Sequence, residues 1–405
     1  MDTRFTMFGC WNNKFCDPHN PQENGMSSVF YSLYQNENKF DPNFYVIAGD
    51  NYYPTTIKTK AEQGKKAKKR KVLNSTNLAS GFECLKGLDR QVFLLMGNHD
   101  LQEEKDFGED HECDIIKQQL ELSKDSNIEV TTSVLVRDDT LFLFLDTNLY
   151  EDDEDYQYAR CELEYRDKVE QLSHLSKSEI TQHIIDEIQH NTMAQLTNIV
   201  KDGYVIKYMF IIAHHPILGA KQKLNTETNT MKTKPQRINN QGAIFVANCF
   251  AFFPDAKPYY LCADIHQYQK STVSISLPDL TLQPITQYIV GTGGAELDEY
   301  LPNKPVTNGI LTYTFIEGTP THGYLNVYRE TLGGDYIFDF VPTYPDPTWD
   351  IMPVGLGVQR YKKSRRKKTK KRKKHSKGLK RRRTFSRRPK SRRSHSKRHL
   401  KREKR

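Results

Sequence analysis

The sequence has no apolar run that approaches the ~20 residues needed to span a membrane as a helix. Its hydrophobic fraction is also low, at 37%. Residues 1–4 lead directly into an apolar run at 5–8, so we expect no secretory signal. The sequence therefore predicts an intracellular protein, or one packaged from an intracellular site, that makes no contact with a membrane.

Cysteine is sparse as well. Seven cysteines, an odd number, are scattered through 405 residues. This pattern is unlike the dense framework of a domain held together by disulfide bonds. The sequence therefore predicts reduced thiols at five positions, which are Cys16, Cys84, Cys113, Cys161 and Cys249.

Acidic side chains are almost absent from the end of the chain. Residues 361–405 contain 27 lysines and arginines but a single acid, Glu403, whereas the whole chain has a net charge of +10. The first 360 residues are therefore acidic. Because the basic segment has too few apolar side chains to offset the entropy of ordering, we expect a folded domain at 1–355 and a disordered tail at 356–405.

The charge of the tail predicts a polyanion as its partner, because lysine and arginine release counterions when they neutralise phosphates. The tail has almost no aromatic side chains to stack on bases, so its binding to nucleic acid should be independent of sequence. Delivery to a nucleus or a viral particle is an equally good interpretation of such runs. The candidate contacts are Arg365, Arg366, Lys370, Arg372, Arg381, Arg382 and Arg383.

Short apolar runs and amphipathic segments predict an α/β fold before this tail. Ser176 and Glu179 form a capping-box pattern at the start of an amphipathic helix over 176–200. Other helices are predicted at 27–36, 81–87 and 243–252 and within 101–125. Two runs at 131–136 and 140–145 predict a hairpin, and further strands are predicted at 271–277, 287–290, 310–316 and 323–328.

Three polar segments are predicted to be loops. The segment 54–80 carries the basic run 65–71 and is interpreted as an exposed insertion, with nucleic-acid contact as the alternative. The acidic segment 151–155 is expected to be solvated. Residues 221–242 are expected to form a polar loop at the rim of a substrate site.

Five polar loops directly follow apolar runs that are predicted strands. In open α/β sheets, ligands bind beyond the carboxyl ends of the strands, so these loops should face one site. The central loop is Gly49-Asp50-Asn51-Tyr52-Tyr53, and the other four carry Cys10, Asn98 with His99, His214 with His215, and Asp264 with His266.

Together these loops supply carboxylate, amide, imidazole, phenol and thiol groups. This mixture suits Zn, Fe or Mn better than Mg or Ca. Two such metals about 3.5–4 Å apart can hold a phosphoryl group and convert a bound water into hydroxide. A dinuclear site needs a bridging carboxylate, for which Asp50 is the candidate, and a histidine that is not a ligand can protonate the leaving oxygen.

The order Gly-x-Trp, Gly-Asp-Asn-x-Tyr, Gly-Asn-His-Asp, His-x-Pro and x-x-His resembles the calcineurin-like metallophosphoesterases. Within that family it is most similar to the purple acid phosphatase branch. The blocks 49–53 and 97–100 carry the resemblance most specifically, and the strand end at 142–147 is also similar. The resemblance covers about residues 4–330, without 54–80 and the tail. It implies a four-layer αββα sandwich with metals at its upper edge and hydrolysis of a phosphate ester.

The resemblance also implies a set of metal ligands. Asp50 would bridge two divalent or mixed-valence transition metals (Fe, Zn or Mn). Tyr53 and His266 would bind the first metal, and Asn98 and His214 the second.

The resemblance further implies that His99 is the general acid and steadies the phosphate. Three other polar residues of these loops, Tyr52, His215 and Asp146, match no ligand of the family. They are expected to pack or to support the ligands.

Two positions depart from the family pattern. Cys10 stands where the family has a metal-binding aspartate, and Asp264 where it has the first histidine of Gly-His-x-His. Because thiolates and carboxylates also bind metals, both residues are predicted ligands, and a thiolate favours Zn or Fe. The alternatives are a weakened or one-metal site and a binding scaffold without turnover.

Three functions remain open at this point. The chain is a phosphoesterase tethered to nucleic acid or directed to a nucleus or particle, a nucleic-acid-binding protein with a phosphatase-like scaffold, or an enzyme whose tail only directs localisation. Phosphomonoesters, phosphodiesters and phosphoproteins are all substrates within such a family.

Overall fold

The computed structural model describes residues 3–53, 55–58, 69–72, 74–101, 114–151, 154–277, 280–281, 284–331 and 334–344. They belong to one unit, Met1–Leu356. The basic tail with its candidate contacts, Cys113 and most of the basic run 65–71 lie outside the described residues. Among the described helices, none is both long and apolar enough to cross a membrane.

The described residues form a mixed α/β structure. The strands are β1 (Phe5–Phe8), β2 (Phe44–Ala48), β3 (Thr55–Lys58), β4 (Lys69–Val72), β5 (Gln91–Leu95), β6 (Ile128–Val130), β7 (Val134–Arg137), β8 (Thr140–Leu145), β9 (Tyr208–Ala213), β10 (Leu218–Asn225), β11 (Thr230–Arg237), β12 (Lys257–Cys262), β13 (Tyr268–Leu277), β14 (Leu280–Thr281), β15 (Ile285–Val290), β16 (Val306–Asn308), β17 (Leu311–Thr319), β18 (His322–Tyr328) and β19 (Ile337–Tyr344). The α-helices are α1 (Gly25–Phe40), α2 (Ser75–Lys86), α3 (Asp114–Ser123), α4 (Glu154–Glu164), α5 (Arg166–Gln171), α6 (Lys177–Lys201) and α7 (Asn240–Ala251).

Most strands form two large sheets. The first has the order β19-β18-β1-β2-β5-β6, and the second β16-β17-β13-β15-β12-β9-β8-β7. The central strands of each sheet run parallel, from β1 to β6 in the first and through β8, β9, β12 and β15 in the second. Antiparallel strands flank them on both sides in the second sheet and on one side, at β18, in the first. The parallel strands of each sheet therefore end together at one edge.

The two sheets pack face to face through aromatic side chains. The Phe5 ring meets Phe142 and Phe210 of the second sheet edge-on, with centroids 5.5 and 5.6 Å apart. Each such pair contributes about 0.5–1.5 kcal/mol beyond the area it buries. Phe8 points the other way and packs on Phe30 of α1, because successive side chains of a strand point to opposite faces.

Helix α6 covers the outer face of the second sheet. Ser176 caps it and forms the predicted capping box with Glu179, which satisfies two backbone N–H groups at the helix start. Its apolar positions Ile180 and Ile184 lie in one buried cluster with Leu141 and Met209 of the sheet. The helix cover outside each packed sheet gives the four layers of the predicted αββα sandwich.

Several local predictions are confirmed with shifted bounds. The hairpin at 131–145 is present as β7 and β8, and the predicted helices near 27–36, 81–87 and 243–252 correspond to α1, α2 and α7. The helices begin at residues other than those predicted, because their capping side chains lie outside the apolar pattern that was used to find them. Asn24, Asn74 and Asn239 each accept a hydrogen bond from the backbone of the first turn.

Three loop predictions are wrong in part. Within 54–80, β3 and β4 pair as an antiparallel hairpin and α2 already begins at Ser75. Within 221–242, β10 and β11 pair over eight residues each, and α7 begins at Asn240. The acidic segment 151–155 ends in helix α4. Cross-strand partners, which a scan for local apolar runs does not see, stabilise the polar strands.

The prediction of reduced thiols is wrong for two cysteines. Cys16 and Cys84 form a disulfide, with Cα atoms 6.7 Å apart. The loop after β1 packs on α2, where Cys16 N donates to Ser80 Oγ and Asn12 Nδ2 donates to the Leu78 carbonyl. The sequence separation of 68 positions hides this proximity. Cys161 and Cys249 are buried free thiols, as predicted.

Candidate metal centre

The five polar loops meet at the edge where the parallel strands end. They follow β1, β2 and β5 of the first sheet and β9 and β12 of the second. The loops touch so closely that two glycines are required. A Cβ on Gly49, which has φ 84°, would lie 2.6 Å from His214 Nδ1, and one on Gly97 would lie 2.3 Å from Asp50 N. Without these glycines the two sheet edges could not converge on Asp50.

Asp50 is buried at the centre of the site, and its Oδ2 faces a first group of side chains. Cys10 Sγ lies 3.6 Å away, and Tyr53 Oη donates to this oxygen at 2.7 Å. Tyr53 Oη is also 3.0 Å from His266 Nε2. Cys10, Asp50 and His266 place one ligand atom each within 4.8 Å of the others, which is compact enough for a metal ion.

The other carboxylate oxygen of Asp50 faces a second group. Its Oδ1 lies 3.2 Å from His214 Nε2 and accepts a hydrogen bond from the His99 backbone N–H at 3.0 Å. His214 Nε2 is also 3.3 Å from Asn98 Oδ1. Asp264 lies in a second compact group with His214 and His215. All of the predicted ligands are therefore brought to the two sides of one carboxylate.

Backbone carbonyls orient the two histidines at this centre. His214 Nδ1 contacts the Ala48 carbonyl and His266 Nδ1 contacts the Glu296 carbonyl, each at 2.7 Å. A ring nitrogen must carry a proton to bond a carbonyl, so each ring keeps a lone pair on Nε2 when it is neutral. This arrangement is typical of histidines that bind metals, and both Nε2 atoms face the ligand atoms around Asp50.

The donor set fits cations. Tyr53 has a single proton, which it donates to Asp50, so its 3.0 Å contact with His266 Nε2 joins two lone pairs. His214 Nε2 likewise faces two oxygens, from Asp50 and Asn98. A positive charge between these atoms is favourable, and either a proton on a ring nitrogen or a metal ion supplies it. The residues present therefore fit a metal ion that takes the place of a proton beside Asp50.

Burial and charge perturb the titration of these groups. Burial alone would lower the pKa of His214, but the Asp50 carboxylate raises it to about 10. Burial opposes the ionisation of Asp50, but the His214 and His99 imidazoles hold its pKa well below its ordinary value. Burial, with the charge of Asp50, raises the pKa of Cys10 and Tyr53. A metal that binds here replaces protons of its ligands.

His99 lies beside the predicted ligands without being one of them. Its ring packs on Tyr53, with centroids 4.5 Å apart, and its buried Nδ1 has no hydrogen-bond partner among the described residues. Burial lowers the pKa of His99, against the opposite effect of Asp50. A buried polar atom without a partner is costly, so this nitrogen is a candidate for contact with substrate.

Asp100 holds the loop that carries Asn98 and His99. Its carboxylate accepts hydrogen bonds from the backbone N–H groups of Gly97 and Asn51 and from the Gln119 side chain. Burial and the charge of Asp50 raise the pKa of Asp100 to about 7. Its bonds tie the loops after β2 and β5 together, so Asp100 positions the site rather than reacting in it.

The hairpin of β10 and β11, together with Asp298, holds two of the predicted ligands in place. Gln236 on β11 donates to Asp264 Oδ2 at 2.8 Å. Asp298 accepts a hydrogen bond from the His266 backbone N–H and pairs with Lys221 on β10 at 2.8 Å. Sequence reasoning missed these residues, because the two polar strands lack the apolar alternation by which strands are found.

The residues predicted not to be ligands have other contacts. Tyr52 Oη accepts from the Asn74 backbone, and Asp146 pairs with buried Arg160 at 2.5 Å. His215 contacts Thr147 Oγ1 through Nδ1 and Glu151 Oε1 through Nε2, at 3.0 and 2.5 Å. His215 also lies close to His214, with ring centroids 4.7 Å apart. Glu151, which was expected in a solvated loop, is instead partly buried against it.

Comparisons of the amino-acid sequence with known proteins do not assign the chain to a family. No family model matches the chain, and no curated protein matches it. Among solved structures, the chain is similar to GAP50, described as the anchor in the inner membrane complex of Plasmodium, with TM-score 0.44 and 11% identity over 89% of this chain and 90% of that one. It is also similar to the NAD nucleotidase NadN of Haemophilus influenzae, with TM-score 0.35 and 9% identity over 84% of this chain and 50% of that one.

Proposed function

We propose that this chain is a metal-dependent phosphoesterase that resembles the calcineurin-like family and hydrolyses phosphate esters. The observation that carries the proposal is the position of Asp50. One of its carboxylate oxygens faces Cys10 and Tyr53, and the other faces His214. A carboxylate between two separate ligand sets is what a two-metal phosphoesterase site requires.

Two donor sets support two metals. The first set is Cys10 Sγ, Asp50 Oδ2, Tyr53 Oη and His266 Nε2, and the second is Asp50 Oδ1, Asn98 Oδ1, His214 Nε2 and the Asp264 carboxylate. Mixed sulfur, nitrogen and oxygen ligands favour Zn, Fe or Mn. Metals bound there would supply a hydroxide nucleophile and neutralise the charge of the phosphoryl group. The tyrosine in the first set supports the purple acid phosphatase branch.

Both departures from the family pattern lie where a ligand is needed. Cys10 takes the place of a carboxylate in the first set, and Asp264 takes the place of an imidazole in the second. Gln236 holds the Asp264 carboxylate by a hydrogen bond, as partners of metal ligands commonly do. The substitutions exchange one ligand type for another, which supports a working site rather than an inert scaffold.

His99 is the group that we propose to act on the leaving oxygen. Its backbone N–H is fixed by Asp50, so the start of its side chain is placed at the centre. Its ring rests on Tyr53, and Nδ1 is without a partner among the described residues. A proton held on this ring can pass to the leaving oxygen, and the ring can steady a phosphoryl oxygen.

Asp50→Asn tests the proposal. Without the negative charge of the bridge, we expect loss of hydrolysis of an aryl phosphate and fewer metal ions per chain by elemental analysis. Asp139→Asn is the control, because Asp139 also pairs with basic groups, Arg329 and Lys207, but lies at the start of β8. Full activity of folded Asp50→Asn would refute the two-metal mechanism.

A second proposal concerns the basic tail, which lies outside the described residues. The 27 lysines and arginines of 361–405 support binding of nucleic acid or another polyanion through phosphates. The alternative function, a nucleic-acid-binding protein with a catalytically weak phosphatase-like body, shares this feature. Metal content and aryl phosphate hydrolysis, measured in one purified sample, separate the two. A tail that only directs the chain to a nucleus or particle would leave nucleic-acid affinity unchanged when deleted.

A further inference from the structure

The hairpin of β10 and β11 carries four lysines on one face. Lys221 is directly opposite Lys234, and Lys223 is directly opposite Lys232. Residues that face each other across antiparallel strands share a face, and so do alternate residues of one strand. The four lysines, defined here as the lysine face, therefore form two rows that lie roughly 7 Å apart along the hairpin.

The lysine face begins at the metal centre. Gln236, which donates to Asp264, lies on the same face as Lys234. Lys221 pairs with Asp298, and Asp298 also accepts from the His266 backbone N–H. One end of the face is therefore fixed to ligands of both metals, and the other lysines lead away from them toward the turn.

This hairpin is held in place from its other face. Gln222 N donates to the Tyr300 carbonyl, and Gln222 Nε2 donates to Asn303 Oδ1 at 2.5 Å. Gln269 donates to the Ala220 carbonyl. The position of the lysine face relative to the centre is thus fixed by the fold rather than by a free loop.

The charge of the lysine face is largely uncompensated. Asp298 pairs with Lys221, but Lys223, Lys232 and Lys234 are exposed and have no salt bridge to any residue the structure describes. Like charges directly opposite each other destabilise a sheet. The nearest acid on the hairpin itself is Glu227, at the turn. Without a bound anion, this arrangement of like charges lowers the stability of the hairpin.

We propose that the lysine face binds phosphates next to the one that is cleaved, so that the substrate is an ester within a chain of phosphates. This inference rests on the proposed function and names its substrate class. The metal centre would take the reacting phosphoryl group. Lys234, Lys223 and Lys232 would contact the following phosphates, as they occur in an oligonucleotide or in a phosphate ester that carries a polyphosphate chain.

The test is competitive inhibition of aryl phosphate hydrolysis by the full-length chain. All variants carry the same tail, so a difference between them reports on the lysine face. The variant Lys223→Gln with Lys232→Gln and Lys234→Gln should raise the inhibition constant of tripolyphosphate by about tenfold to a hundredfold, since each exposed charge contact is weak. The inhibition constant of orthophosphate should change by less than about twofold, because a single phosphate does not extend beyond the metals.

A short single-stranded oligonucleotide is the second inhibitor. In the wild type its inhibition should weaken with salt by about 0.7 log units per decade for each phosphate contact, and the triple variant should lose part of that slope. Tripolyphosphate sensitivity without oligonucleotide sensitivity would support a chain of phosphates other than a nucleic acid.

The matched control neutralises three lysines near the starts of the parallel strands, Lys39, Lys201 and Lys257. It has the same net charge as the test variant, and its inhibition constants should equal those of the wild type. If the test and control variants had equal inhibition constants for tripolyphosphate, the proposal that the lysine face binds phosphates would be refuted. A wild type that hydrolyses no aryl ester would instead overturn the proposed function, and calorimetric titration of the same variants with tripolyphosphate would then decide on the lysine face alone.

Discussion

Replacing Cys10 by aspartate separates a metal ligand from a packed thiol. Cys10 Sγ lies 3.6 Å from Asp50 Oδ2, and both side chains are buried. Two negative charges at that distance repel by about 4–5 kcal/mol at an effective dielectric constant of about 20. In the metal-free protein, Cys10→Asp should therefore lose up to about 4 kcal/mol of stability, or one carboxyl should bind a proton.

A metal on the first site reverses this effect. The added carboxylate then becomes a ligand, so the stabilisation by Zn should be larger in Cys10→Asp than in the wild type. Cys10→Ala should show the opposite result, with one metal lost, most of the turnover lost and a smaller stabilisation by Zn. The assays are urea unfolding with and without Zn, elemental analysis and aryl phosphate hydrolysis.

Cys249→Ala is the matched control. Cys249 is also a fully buried thiol, but it lies on α7, where burial is the sole cause that raises its pKa. It should lose a similar amount of packing energy with no change in metal content. If Cys10→Ala behaved like Cys249→Ala and kept both metals and the full rate, Cys10 would be a packing residue and the first metal would have other ligands.

Two further predictions concern His99 and the tail. His99→Asn should lower the rate about 10²–10⁴-fold for a substrate with a poor leaving group and retain the metals; loss of metal, or an unchanged rate, would contradict the role of a general acid. Deletion of 361–405 should remove most of the affinity for nucleic acid and nearly all of its salt dependence. On duplex DNA, each phosphate contact lowers the logarithm of the binding constant by about 0.9 for a tenfold rise in salt concentration. Tight binding by the truncated chain at moderate salt would direct attention to the lysine face or to 65–71.

The sequence predicted the strand ends of the site because their signals are local. Each polar loop directly follows an apolar run, and the carboxyl ends of parallel strands meet at one edge of a sheet. Asp50, Asn98 and His214 lie just after three such strands and reach one point. The same rule does not predict the register between paired strands or the order of the strands within each sheet.

The remaining features depend on contacts between distant residues. Cys16 and Cys84 meet because a loop packs on a helix, and Gln236 reaches Asp264 because two polar strands pair. Polar strands lack the apolar alternation by which strands are found. The disulfide also bears on the compartment in which the chain folds, since such bonds are rare in a reducing cytosol.

The backbone is strained at three residues of the proposed centre. Cys10, Asp50 and Asp264 have φ of 54°, 54° and 58°, in the left-handed region that residues other than glycine seldom adopt. Aspartate tolerates this region better than cysteine does, so the conformation at Cys10 is costly and must be imposed by its surroundings. Cys10 N donates to the Gly49 carbonyl, and the Cys10 carbonyl accepts from Ala295 N. In this conformation Cys10 Sγ lies 3.6 Å from Asp50 Oδ2, where a ligand of the proposed first metal would have to be.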